Sequence, residues 1–196
     1  NKHTHLVPEE LEQLERLSLT DKHMKLQKSL DAFLFCCYAG MRYSDFTNLS
    51  KKNIVDINQE TWLIYKSVKT GTEVRLPLYL LFAGKGIVIL NKYRNNLEDF
   101  FRLRDNSNIN KDLIIIAKLA GLSKKISFHT ARHTNATLLI YNGVNITTVQ
   151  KLLGHKSVKT TQVYTNIMDM TIVHDLEKIK QAALGIKKKT DNSFNK

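Results

Sequence analysis

One short block of this chain reads as β-sheet, and helical patterns flank it on both sides. Ile54-Val55-Asp56-Ile57, the run from Thr61 to Val68, and Glu73 to Leu76 are rich in β-branched and aromatic residues. Asn58-Gln59-Glu60 and Lys69-Thr70-Gly71-Thr72 supply the turns between them, and Pro77 closes the block. Short polar turns between such runs predict one three-stranded antiparallel sheet. The expected class is therefore mainly α with a small three-stranded antiparallel β-sheet, an α+β arrangement.

The helical signals are local and specific. Val7-Pro8-Glu9-Glu10-Leu11 opens a helix, with Pro at its start and acids in a first turn whose dipole favours them. Leu11, Leu14 and Leu17 give it an apolar face. A second helix begins at Ser29 or Asp31, carries Leu30, Phe33, Leu34 and Cys37, and ends near Gly40. A short third one starts at Ser44 as its cap. After the sheet, helices are expected over Ile87 to Arg94, Asn108 to Ala120, Thr130 to Tyr141, Ile146 to Leu153, Val158 to Asn166 and Met170 to Leu184. Gly121 and Gly143 sit where helix C-termini favour glycine. No internal repeat is present.

Composition narrows the partners. With 196 residues, the chain suffices for one domain with a sizeable core. Its formal net charge of +12 favours a polyanionic partner, because each Lys or Arg that meets a phosphate releases counterions. A solvated basic surface has the same composition. Cys36 and Cys37 are neighbours inside an apolar helical run and point in different directions, so they read as buried small hydrophobes in a reducing compartment. No apolar stretch approaches the length of a membrane span.

Three clusters carry chemistry. Arg42 follows Ala39-Gly40-Met41, and Asp45 stands three residues on, able to orient its guanidinium. An exposed Arg–Asp pair has the same spacing. His129 and Arg132 are three apart at a helix start and share a face, near an end that already favours anions. A histidine bonded to backbone and a solvated arginine are their ordinary uses. His133 lies four from His129, but no nearby carboxylate or thiolate completes a metal site, so it reads as a core or supporting histidine. His155 follows Gly154, which breaks a helix and lets the ring project; a plain C-cap histidine fits as well. Tyr164 lies nine residues further, in a Thr-rich helical stretch where tyrosines commonly pack. Lys69, at the tip of the second turn, can swing into a site formed by helices; Lys66 and Arg75 are its rivals.

Together these groups suit phosphoryl transfer. A tyrosine hydroxyl has a pKa of about 10 and needs a base or nearby positive charge to attack at neutral pH. Two arginines and a lysine supply that charge and stabilise a pentavalent phosphorus. The resulting phosphotyrosine ester keeps the energy of the broken diester, so strands can be rejoined without ATP, and neither metal nor other cofactor is called for.

Ala39-Gly40-Met41-Arg42, Lys69, His129-x-x-Arg132, Leu153-Gly154-His155 and Tyr164, in this order, resemble the catalytic domain of the tyrosine recombinase (phage-type integrase) family. The likeness spans roughly Val7 to Leu184. It implies that Arg42 and Arg132 clamp the scissile phosphate, with Asp45 as an acidic helper. Lys69 becomes the general acid for the leaving 5′-oxygen, His129 assists proton transfer, His155 hydrogen-bonds the phosphate, and Tyr164 forms the 3′-phosphotyrosine bond. It also implies site-specific recombination of double-stranded DNA, for a mobile element, in the cytoplasm and on the nucleoid when DNA is bound. The implied assembly is a synaptic tetramer with accessory DNA-bending proteins and no membrane partner. Residues 1–186 are then one catalytic domain and 187–196 a flexible basic tail, with N-terminal DNA-binding domains outside this chain. Leu176, Ile179, Ala183 and Ile186 form a stripe that docks on a neighbouring copy or on its own domain. Two other readings share the residues: a type IB topoisomerase-like enzyme that relaxes DNA without synapsis, and a basic DNA-binding module without catalysis.

Overall fold

The computed structural model describes residues 4–161, 172–173 and 175–185. Two helices form its centre. In α2 (Gln27–Ala39) eleven consecutive residues, Ser29 to Ala39, are buried. In α7 (Phe128–Tyr141) twelve are buried, and His129 is exposed. A helix without a polar face can be stable only inside a core. The two pack on each other. Asn135 of α7 donates from Nδ2 to the carbonyls of Cys37 (2.9 Å) and Tyr38 (3.1 Å), satisfying carbonyls at the end of α2 that have no partner within the helix.

Around this pair lie α1 (Pro8–Glu15), α3 (Tyr43–Thr47), α4 (Lys85–Lys92), α5 (Leu97–Phe101), α6 (Asn106–Leu119) and α8 (Ile146–Leu152). Phe46 of α3 anchors an aromatic cluster, with ring centroids of Phe35, Phe100, Phe101 and Phe128 between 5.3 and 6.3 Å away. Burying rings of this size supplies much of the core energy, about 3–5 kcal/mol for each when truncated to Ala.

The sheet has the expected order, β1 (Ile54–Ile57), β2 (Glu60–Lys66), β3 (Glu73–Pro77), all antiparallel. Period-two alternation divides its faces. Leu63, Tyr65, Val74 and Leu76 are buried, whereas Lys66, Glu73 and Arg75 face out. The first hairpin is tighter than expected. Asn58 and Gln59 alone form the turn, at φ 51° and 65°, and Glu60 already pairs with Ile57. This is the left-handed pair that matches the twist of a two-residue hairpin.

Other differences are equally local. The third helix starts at Tyr43 with Arg42 as its N-cap, two positions ahead of the expected Ser44 cap. The expected helix over Val158 to Asn166 begins instead as a 3-10 turn, Val158–Thr160, with Thr161 in a turn after it; its remaining residues lie outside those described. Residues 172–173 and 175–185 are helical, and no described helix is long and apolar enough to cross a membrane.

Candidate active site

Arg42 leaves the core directly behind buried Met41, and its side chain is only 15% exposed. Its Nη1 lies 3.6 Å from Asp45 Oδ2 and 3.4 Å from Ser67 Oγ. Asp45 is fully buried at its side chain, and its other oxygen accepts the Val68 N–H at 2.8 Å. One carboxylate therefore joins α3 to the entry of the β2–β3 turn and holds Arg42 from behind. Removing one partner of such a buried charge pair costs about 3–5 kcal/mol.

Arg132 is held differently. It is almost wholly buried, and it donates from Nη1 to the Gly40 carbonyl and from Nη2 to the Leu153 carbonyl, both at 2.7 Å. Its Nη2 also meets His155 Nε2 at 2.8 Å. The approach depends on Gly40, whose backbone is left-handed (φ 70°) and whose missing Cβ would stand 2.6 Å from Asn135 Oδ1. Arg132 thus ties the end of α2, the end of α8 and the histidine loop to one guanidinium.

Gly154 brings His155 against the sheet. A Cβ at this position would lie 2.7 Å from Val74 Cγ2, and φ is 65°. The His155 N–H donates to the Gln150 carbonyl (3.0 Å), and Nδ1 meets Thr161 Oγ1 at 3.0 Å. Burial first, then the positive charges of Arg132, Arg42 and Lys69, lower the ring's pKa from 6.5 to about 4. The imidazole is therefore neutral at physiological pH. A guanidinium only donates, so Nε2 carries the lone pair and Nδ1 the hydrogen, donated to Thr161.

Lys69 lies in the exposed β2–β3 turn. The next residue fixes that turn, since Thr70 Oγ1 donates to the Gly154 carbonyl at 3.1 Å. The two rival cations point elsewhere. Lys66 stands opposite Glu73 on the outer face, while Arg75 pairs with Glu73 at 3.6 Å and lies over the Trp62 ring at 6.0 Å.

His129 and Arg132 are separated in depth despite their three-residue spacing. Arg132 is inside, while His129 is exposed with its ring edge-on to buried His133, 4.4 Å between centroids. Both histidines line an open concavity of about 840 Å³ with Asn106, Asn110, Lys111 and Lys125. Tyr164 and Ile186 lie outside the described residues. Leu176, Ile179 and Ala183 are exposed, as is every described residue from 172 to 185.

The structure so brings Arg42, Asp45, Arg132 and His155 together, with Lys69 acting on the same imidazole through its charge. It adds Ser67 and Thr161, which sequence reasoning did not select. Hydroxyls at 25 and 6 residues from their partners carry no recognisable spacing. Fixed cations around a neutral histidine can bind an oxyanion and stabilise negative charge that grows on it.

Comparison with known proteins gives the site a context. The model of the phage integrase family matches residues 5–170. The tyrosine recombinase XerD of Bifidobacterium longum is 50% identical over 171 residues, covering 79% of this chain and 54% of that protein. A tyrosine recombinase of Pseudothermotoga lettingae is 30% identical over 181 residues, covering 90% of this chain and 60% of that protein. The chain thus spans little more than half the length of these relatives. Its fold is shared with the XerH site-specific recombinase, solved in a post-cleavage complex with palindromic difH substrate. The TM-score is 0.65 at 21% identity, over 93% of this chain and 53% of that one.

Proposed function

The chain belongs to the phage integrase family, and from that membership we propose that it is the catalytic domain of a tyrosine recombinase acting on double-stranded DNA. The observation that carries the proposal is the convergence of Arg42, Arg132 and Lys69 on the neutral ring of His155. Such a cradle fits one phosphodiester.

The reaction then follows from the residues. Arg42 and Arg132 bind the non-bridging oxygens. Tyr164 loses its proton with help from His129 and attacks phosphorus. As the phosphorus–oxygen bond to the 5′-oxygen breaks, Lys69 gives that oxygen a proton. DNA remains attached through a 3′-phosphotyrosine bond. Attack by a 5′-hydroxyl of a second strand reverses the steps and returns Tyr164 its proton. Nothing is oxidised or reduced, and no cofactor enters.

The same proposal includes the assembly and setting: a synaptic tetramer on DNA, accessory DNA-bending proteins, a mobile element's integration and a cytoplasmic, nucleoid-associated place of action. The exposed Leu176, Ile179 and Ala183 support docking on a neighbouring copy rather than packing on their own domain.

The test is covalent trapping. The chain and its Tyr164→Phe variant are incubated with nicked duplexes, without metal or ATP, and denaturant-resistant protein–DNA adducts are counted. An adduct only with Tyr164 present is expected. An adduct in Tyr164→Phe overturns the nucleophile. No adduct from the chain or from its full-length parent overturns the catalytic reading. Strand exchange between two duplexes, rather than relaxation alone, separates recombination from a topoisomerase.

A further inference from the structure

We propose that Thr161 is a positioning residue whose hydroxyl reverses its hydrogen bond to His155 when a phosphate enters, turning the imidazole from acceptor to donor toward the site. The inference rests on the reading of this site as a phosphodiester cradle.

The geometry poses the problem. Arg132 Nη2 lies 2.8 Å from His155 Nε2. Because guanidinium has no lone pair to offer, Nε2 must accept there. The ring hydrogen is then on Nδ1, 3.0 Å from Thr161 Oγ1, which accepts it. A phosphate oxygen has only lone pairs for Arg132 and His155. For both to hold it, both must donate, and His155 needs a hydrogen on Nε2.

Two routes supply that hydrogen. The ring can take up a proton and become imidazolium, or it can exchange one tautomer for the other. Burial opposes the first route, and so do Arg132, Arg42 and Lys69, which all act on this ring. A phosphodiester brings one negative charge against those three positive ones. The second route changes no charge. Nε2 takes a proton from water and Nδ1 returns one to water, so protons balance. Nδ1 is then left with a lone pair facing Thr161.

A hydroxyl is suited to this exchange. It has one hydrogen and two lone pairs, so it accepts from Nδ1–H in one state and donates to Nδ1 in the other by rotating. Thr161 is fully buried beside Nδ1, so its hydroxyl is placed to serve that nitrogen before and after the exchange. Without the hydroxyl, the phosphate-bound tautomer leaves a buried nitrogen unsatisfied.

The experiment is nitrogen-15 NMR of the uniformly labelled chain, whose long-range proton–nitrogen correlations distinguish the histidine tautomers and whose guanidinium signals report Arg42 and Arg132. Without phosphate, His155 is expected as the Nδ1–H form; with saturating inorganic phosphate, as the Nε2–H form. In Thr161→Val the inversion is expected to be lost, and adduct formation on nicked duplexes to fall about tenfold. Thr161→Ser is expected to restore both. If phosphate shifts the Arg42 and Arg132 signals while His155 keeps its tautomer, or becomes imidazolium, the inference is overturned and the cradle reading stands. If phosphate shifts none of these signals and no adduct forms, both fall together.

Discussion

Gly40→Ala is the sharpest test of how the two arginines are placed. Gly40 ends α2 at φ 70° and ψ 20°, a conformation that costs an L-residue about 1–2 kcal/mol. A methyl there would stand 2.6 Å from Asn135 Oδ1 and 2.9 Å from Leu153 Cδ2. Neither neighbour can yield cheaply. Asn135 is fixed by its two bonds to α2, and Leu153 is fully buried. Overpacking of this kind adds about 1–3 kcal/mol, so the expected loss of stability is about 2–5 kcal/mol. Gly121→Ala is the control. Its φ is 75°, but no atom lies within 4 Å of the added methyl, so only the backbone cost of about 1–2 kcal/mol applies. Urea unfolding of both variants, with unchanged slopes, measures the difference. Equal losses in the two variants refute the packing argument. Because the Gly40 carbonyl also receives Arg132 Nη1, adduct formation should fall in Gly40→Ala and persist in Gly121→Ala.

Two further predictions follow from the charges. Asp45→Ala removes the acceptor of the Val68 N–H and the carboxylate behind Arg42, so unfolding experiments should show a loss of about 3 kcal/mol; Asp45→Asn keeps an acceptor and should lose less. His155 has a folded pKa of about 4, below its ordinary 6.5. Its contribution to stability is therefore complete above pH 6.5 and declines as the pH falls toward 4, where the unfolded ring binds a proton that the folded ring refuses. His155→Asn should remove that part of the acid limb, and parallel pH profiles for the two proteins would sink the assignment.

The legible parts of the fold were those with long patterns. Runs of β-branched and aromatic residues separated by polar turns located all three strands, and the apolar run ending at Gly40 located α2. The five-residue α5 escaped because so short a segment has no periodicity to read, and its burial comes from Phe100 and Phe101 meeting Phe46 across the core. The start of α3 at Tyr43 was hidden because Ser44 is a good cap in isolation, whereas Arg42, whose side chain makes no cap hydrogen bond, takes the N-cap position. In the site, Arg42, Asp45, Arg132 and His155 were legible because their types and order are restrictive. What the spacing of His129 and Arg132 concealed was depth, since residues three apart on a helix can still sit at the rim and in the interior.

The electrostatic design was the least legible feature, because its decisive groups are backbone. A reader of sequence looks for the carboxylate that secures an arginine, and for Arg42 finds Asp45. Arg132 is secured by the carbonyls of Gly40 and Leu153 and by a neutral imidazole. Every residue has a carbonyl, so no motif records which ones point inward. The choice has a physical consequence. A carboxylate partner fixes a guanidinium and offsets much of its charge, whereas carbonyl acceptors such as those of Gly40 and Leu153 fix it without adding an opposing charge. The pKa of His155 is lowered first by burial and then by the charges of Arg132, Arg42 and Lys69. Gly40 and Gly154 make the arrangement possible, since both lie where a Cβ would collide with the core and hold the backbone away. The glycines are thus as much a part of the anion site as the arginines, through the approach they permit rather than any group they carry.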